Sequence, residues 1–111
     1  MLKMLRLSCI YLLTEPQEVI KPDVATQSEL TLTCPVAKDG FAIFYRKNSK
    51  RNKDEELQFS DRYNFPTFSS VVILKLSLED AGVYNCRNPL NNEVLKTFII
   101  KPFGKSVQDE R

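Results

Sequence analysis

The chain has 111 residues, 42% hydrophobic and 27% charged, which bounds it to one globular domain with a single core. Histidine is absent, so Ser-His-Asp and Cys-His nucleophile systems, His-ligated zinc and imidazole general bases are excluded together. With 16 Lys plus Arg against 14 Asp plus Glu the net charge is only +2, too small a basic excess for a nucleic-acid binder.

Residues 1–13, MLKMLRLSCIYLL, are largely apolar with Lys3 and Arg6 near their start, and they resemble a secretory leader ending near residue 14. Arg6 shortens the apolar run and no small-x-small cleavage signal follows, so a start that is not a leader is the competing reading. No other stretch approaches the roughly 20 apolar residues of a membrane helix, and no membrane span is expected in this chain. In residues 28–34, SELTLTC, Leu30, Leu32 and Cys34 share one face and Glu29, Thr31 and Thr33 the other. That alternation predicts a half-buried strand with Cys34 pointing inward. Lys38, Asp39 and Gly40 form a turn, and residues 41–47, FAIFYRK, a second strand rich in β-favouring side chains. The polar stretch 48–56 reads as a solvated loop or an exposed edge hairpin.

Residues 57–59 and 62–65 read as short edge strands, with Pro66 suited to an edge or a turn. Residues 71–78, VVILKLSL, form the most apolar window after the leader-like segment and predict an eight-residue strand. Asp80, Ala81 and Gly82 then turn the chain into a strand over 83–87, with Gly82, Tyr84 and Cys86 on its inner face. A turn at 88–92 leads to a last strand over 94–100, closed by Pro102, and residues 103–111 are a polar tail or linker. Seven or eight strands without a helix predict an all-β antiparallel sandwich occupying residues 15–102.

The run Asp80-Ala81-Gly82-Val83-Tyr84-Asn85-Cys86 resembles the D-x-G-x-Y-x-C signature of immunoglobulin-superfamily domains, and the separation of Cys34 from Cys86 is similar to that of longer I-type and V-type members. The resemblance implies an inter-sheet Cys34–Cys86 disulfide, a Tyr84 hydroxyl returned to the backbone as a tyrosine corner, and an Arg62–Asp80 ion pair. It also implies a core built on Phe44, Leu76, Tyr84 and Gly82. Phe44, followed by Tyr45, stands where the family carries its core tryptophan. In the chain-entropy model the bridge contributes roughly 3 to 4 kcal/mol and needs an oxidising compartment. Reduced, buried thiols in an intracellular structural module are the alternative.

Family members bind partners through the outer face of the sheet that holds the third, sixth and seventh strands, or through end loops. With Phe44 and Cys86 inward, Ile43, Tyr45, Lys47, Asn85 and Arg87 point outward together and are the candidate partner-binding residues. The last strand is apolar on both sides, with Val94, Phe98 and Ile100 against Leu95 and Ile99. One set is therefore exposed, bound by a partner, or covered by the chain's own amino-terminal segment. Arg46, Lys47, Lys50, Arg51 and Lys53 suggest a glycosaminoglycan contact, but Asp54, Glu55 and Glu56 follow at once, so such contact is expected to be weak. No metal cluster, Gly-rich phosphate loop or cofactor motif can be drawn, and no enzyme activity is expected. The sequence also lacks an Asn-x-Ser/Thr sequon, leaving both sheet faces free of N-linked glycan. The expected function is a secreted or cell-surface recognition or adhesion module whose protein partner is either itself or another surface protein. The alternative is an intracellular spacer of a filament or scaffold protein.

Overall fold

A computed structural model describes residues 16–36 and 40–104; the leader-like segment, Lys38 and Asp39 of the expected turn, and residues 105–111 of the tail lie outside the described residues. Among the described residues eight strands form: β1 (Gln17–Ile20), β2 (Leu30–Thr33), β3 (Ile43–Asn48), β4 (Lys53–Glu56), β5 (Tyr63–Thr67), β6 (Ser70–Ile73), β7 (Gly82–Arg87) and β8 (Val94–Ile100). A 3-10 turn, Leu78–Asp80, lies between β6 and β7. The strands make a five-stranded sheet in the order β1-β8-β7-β3-β4 and a three-stranded sheet in the order β2-β6-β5. All pairings are antiparallel except that of β1 with β8, which is parallel.

The core lies between the sheets. Phe44, Tyr84, Cys86, Phe98 and Ile100 come from one sheet, and Leu30, Leu32, Val71 and Ile73 from the other, all buried. Phe44 sits 6.4 Å from Phe98, ring centroid to centroid, and the two tilted rings pack together in the core. Cys34, just past β2, is bonded to Cys86 on β7 across 52 residues of sequence, clamping the two sheets together.

Four expectations need correction. The strand expected over 71–78 stops at Ile73. Alternation through Val71 and Ile73 would next drive Lys75 into the core; instead Lys75 takes a left-handed conformation at φ 51°, stays exposed, and lets Leu76 turn inward. Residues 57–59 are not a strand: only Leu57 is buried, its N–H donating to the Phe44 carbonyl at 2.8 Å, while Phe59 is 75% exposed. Third, the two-sided apolar pattern of β8 is resolved within the chain by a register shift at Cys86/Arg87. There Leu95 packs against the core, leaving Ile99 half-buried between Val83 and Val19. Fourth, the amino-terminal segment lies beside β8 as β1 rather than over its face. The edge hairpin over 48–56 does form, through β3 and β4. Phe103, read as the start of the tail, accepts from the Val24 N–H and donates to the Pro22 carbonyl, at 2.9 and 3.0 Å.

Candidate protein-binding face

The D-x-G-x-Y-x-C run builds the support beneath the site. Ser77 caps the 3-10 turn: its hydroxyl accepts from the Glu79 N–H, and the Asp80 carboxylate accepts from the Ser77 N–H at 2.8 Å. Asp80, fully buried, also pairs with Arg62, which immediately precedes β5. Burial would lower the Arg62 pKa, but the charge of Asp80 and its hydrogen bond outweigh that and raise it. The Tyr84 hydroxyl donates to the Asp80 carbonyl at 2.7 Å, completing the tyrosine corner. Burial pushes the Tyr84 phenol well above its usual range against the opposing charge of Arg46. Gly82 opens β7 at φ 147°, a backbone conformation that other residues rarely adopt and only under strain. A Cβ there would find only ordinary contact with Arg46 Nε at 3.6 Å, so conformation rather than space selects glycine.

Above this support, alternation brings the expected candidates onto one outer surface. Tyr45 lies opposite Asn85, and Ile43 opposite Arg87, in the β3–β7 register. The face is more organised than an apolar patch with a cationic margin. The guanidinium of Arg87 lies over the Tyr45 ring, 4.3 Å from its centroid. Its Nε donates to Asn85 Oδ1 at 3.0 Å, one terminal nitrogen donates to Asn92 Oδ1 at 3.3 Å, and the other pairs with Asp54 Oδ2. Asn85 Nδ2 donates to the same Asp54 oxygen at 2.8 Å. Asp54 therefore reaches from β4 across β3 to β7 and fixes both polar residues beside the tyrosine. Asn85, although on the outer face, is only 8% exposed beneath this network. Ile43 is half-buried and Lys47 exposed.

Sequence reasoning missed Asp54 and Asn92. Each sat in a polar turn or hairpin, and only the cross-strand register, invisible in one sequence, distinguishes them from solvated neighbours. A second surface also went unread: the loops before β3, between β5 and β6, and between β7 and β8 carry Phe41, Phe68 and Leu90, which are 49%, 83% and 88% exposed. A shallow pocket of about 270 Å³ lies among Pro35, Val36, Phe41, Pro89, Leu90 and Leu95. Among the described residues no three His, Cys, Asp or Glu side chains could hold a metal ion, and no helix is long and apolar enough to cross a membrane.

Two packed sheets, an inter-sheet disulfide and a tyrosine corner together define an immunoglobulin-like sandwich. The sequence model of the immunoglobulin domain matches residues 21–94, and the chain belongs to that family. Among solved structures it is similar to Drosophila Semaphorin 2a, with 19% identity over 86% of this chain and 15% of the other, at a TM-score of 0.60. It is also similar to Dscam in a structure that addresses isoform specificity, with 19% identity over 78% of this chain and 22% of the other, at a TM-score of 0.63. The N-terminal four Ig domains of Dscam1 isoform 9.44 match with 16% identity over 82% of this chain and 23% of the other, at a TM-score of 0.62. The chain thus spans less than a quarter of each of these three structures, and the likeness is one of fold. A search of curated proteins found no significant match.

Proposed function

We propose that the chain is a non-catalytic extracellular recognition module that binds another protein through the outer face of its five-stranded sheet. The observation that carries this reading is the Arg87–Tyr45 stack held by Asp54, Asn85 and Asn92. Tyr and Arg are, with Trp, the side chains enriched at binding hot spots, and here both are ordered before any partner arrives, so little conformational entropy remains to be lost on binding. The Cys34–Cys86 bond supports an oxidising compartment over the intracellular spacer. The partner is a second copy of the chain or another surface protein, and the mechanism is surface complementarity.

The test is a multimerised, secreted form of the chain applied to cells expressing a library of surface proteins, alongside Tyr45→Glu and Ile43→Glu variants. Binding that disappears in both variants with unchanged melting supports the face. Binding that survives both variants places the interface elsewhere, and unfolding of the variants would mean that the two side chains are structural.

A further inference from the structure

Along the β3–β4 hairpin five cations are followed by three acids, and the register sets Arg46 opposite Glu55 and Lys47 opposite Asp54, yet the fold does not neutralise them pairwise. Asp54 is turned away toward Arg87 and Asn85. Glu55 accepts from Asn48 Nδ2 at 3.1 Å and meets Arg51 at 3.8 Å, a long and exposed pair. Of the five cations Arg46, Lys47, Lys50, Arg51 and Lys53, only Arg51 has a carboxylate partner among the described residues.

Arg46 is anchored by neutral groups. One of its terminal nitrogens donates to the carbonyls of Glu79 and Ala81 at 2.7 and 2.8 Å, and its guanidinium lies 5.2 Å from the Tyr84 ring centroid. Its full charge therefore remains at the wall of an open groove of about 460 Å³ that Lys47, Ser49, Lys50, Glu55 and Gly82 also line. Lys53 stands opposite Asn48, beside the turn that joins β3 to β4. This pole of the sandwich is a groove lined by three cations, Arg46, Lys47 and Lys50, against one carboxylate, Glu55, while Asp54 is turned away.

We propose that this groove binds a sulfated glycosaminoglycan chain. The proposal takes its ligand's source from the extracellular reading above, but apart from Lys47 it uses different residues. An open groove with separated point charges suits a flexible polyanion whose sulfates are spaced along a chain. The hairpin tip, Asn48-Ser49-Lys50-Arg51-Asn52, carries no apolar side chain to enter a bilayer, and a net charge of +2 is a poor footprint for nucleic acid.

The test measures binding of the full chain to immobilised heparin. Three free lysines releasing counterions predict an affinity that falls about 20-fold between about 50 and 200 mM salt. The Lys50→Ser/Lys53→Ser variant, changed only at exposed positions, is expected to bind about 15-fold more weakly near 150 mM salt with unaltered melting. Glu55→Gln, which frees Arg51 and removes the acid lining the groove, is expected to bind at least about fourfold more tightly. Unsulfated hyaluronan is expected to bind far less than heparin, and neither phosphatidylserine vesicles nor single-stranded DNA to displace heparin at equal charge. Unchanged heparin affinity in the double lysine variant, equal binding of hyaluronan, or displacement by vesicles or DNA would each overturn the proposal. Ile43→Glu reads the protein interface at the far end of β3, so failure of that interface and failure of this groove are seen separately.

Discussion

Replacing Asp54 with alanine separates the two readings of the β4 carboxylates. As one acid of a solvated hairpin, Asp54 could be removed within about 0.5 kcal/mol. In the folded chain it accepts from Arg87 and from Asn85, with the ion-pair side chains only 19% and 21% exposed. A charged hydrogen bond of this kind contributes about 1.5 to 3 kcal/mol, and the remaining solvent access argues for the lower end. The amide of Asn85, a residue only 8% exposed, loses an acceptor as well. The expected loss is about 2 kcal/mol, which at a typical urea slope for a domain this size lowers the midpoint by about 1 to 2 M. Glu56, the exposed neighbour across from Tyr45, is the internal control: Glu56→Ala should move the midpoint within error. A double-mutant cycle with Arg87→Ala should return a coupling of about 1.5 kcal/mol. If Asp54→Ala matches Glu56→Ala, the network does not hold the Tyr45 face and the case for a pre-ordered binding site fails.

Arg62→Met leaves the buried Asp80 carboxylate without its cation. Because the Arg62 side chain is 36% exposed, the expected loss is about 2 kcal/mol rather than that of a fully buried pair, read by urea melts. Tyr84→Phe removes the hydroxyl bond to the Asp80 carbonyl, for a loss of about 1 kcal/mol at neutral pH. The same phenol has a raised pKa in the fold, so above about pH 10 the unfolded chain gives up its proton while the folded chain keeps it. Stability therefore falls as pH rises through that range, and Tyr84→Phe should show a shallower alkaline decline by circular dichroism. Phe68→Ser and Leu90→Ser, at side chains 83% and 88% exposed, should leave thermal melts within about 0.5 kcal/mol of the parent.

What was legible in the sequence followed from local rules. Alternation in β2 and in β7 set the inward cysteines and core faces, because a side-chain period of two is a local property. The Arg62–Asp80 pair and the Tyr84 corner came from a motif whose residues each have a backbone or charge partner. The misses share one cause: they depend on what lies across the sheet. β1 is short, largely exposed and without alternation, and it forms only because β8 offers its free edge. β6 ends early because a lysine would otherwise enter the core, and Leu95 turns inward only where β7 and β8 slip register. Asp54 sits in a charged stretch indistinguishable from solvated hairpin until register places it beside Arg87. On the outer face, the five candidates were found by alternation, but not the network that orders them.

The account rests on a disulfide-clamped domain that reaches an oxidising compartment. The most direct measurement is to express the full chain in a eukaryotic secretory cell and take the intact mass of the secreted product, alkylated before and after reduction. The account predicts protein in the medium in which Cys34 and Cys86 become alkylatable only after reduction. Retention inside the cell with both thiols free would contradict it, and would move the chain to the intracellular structural reading.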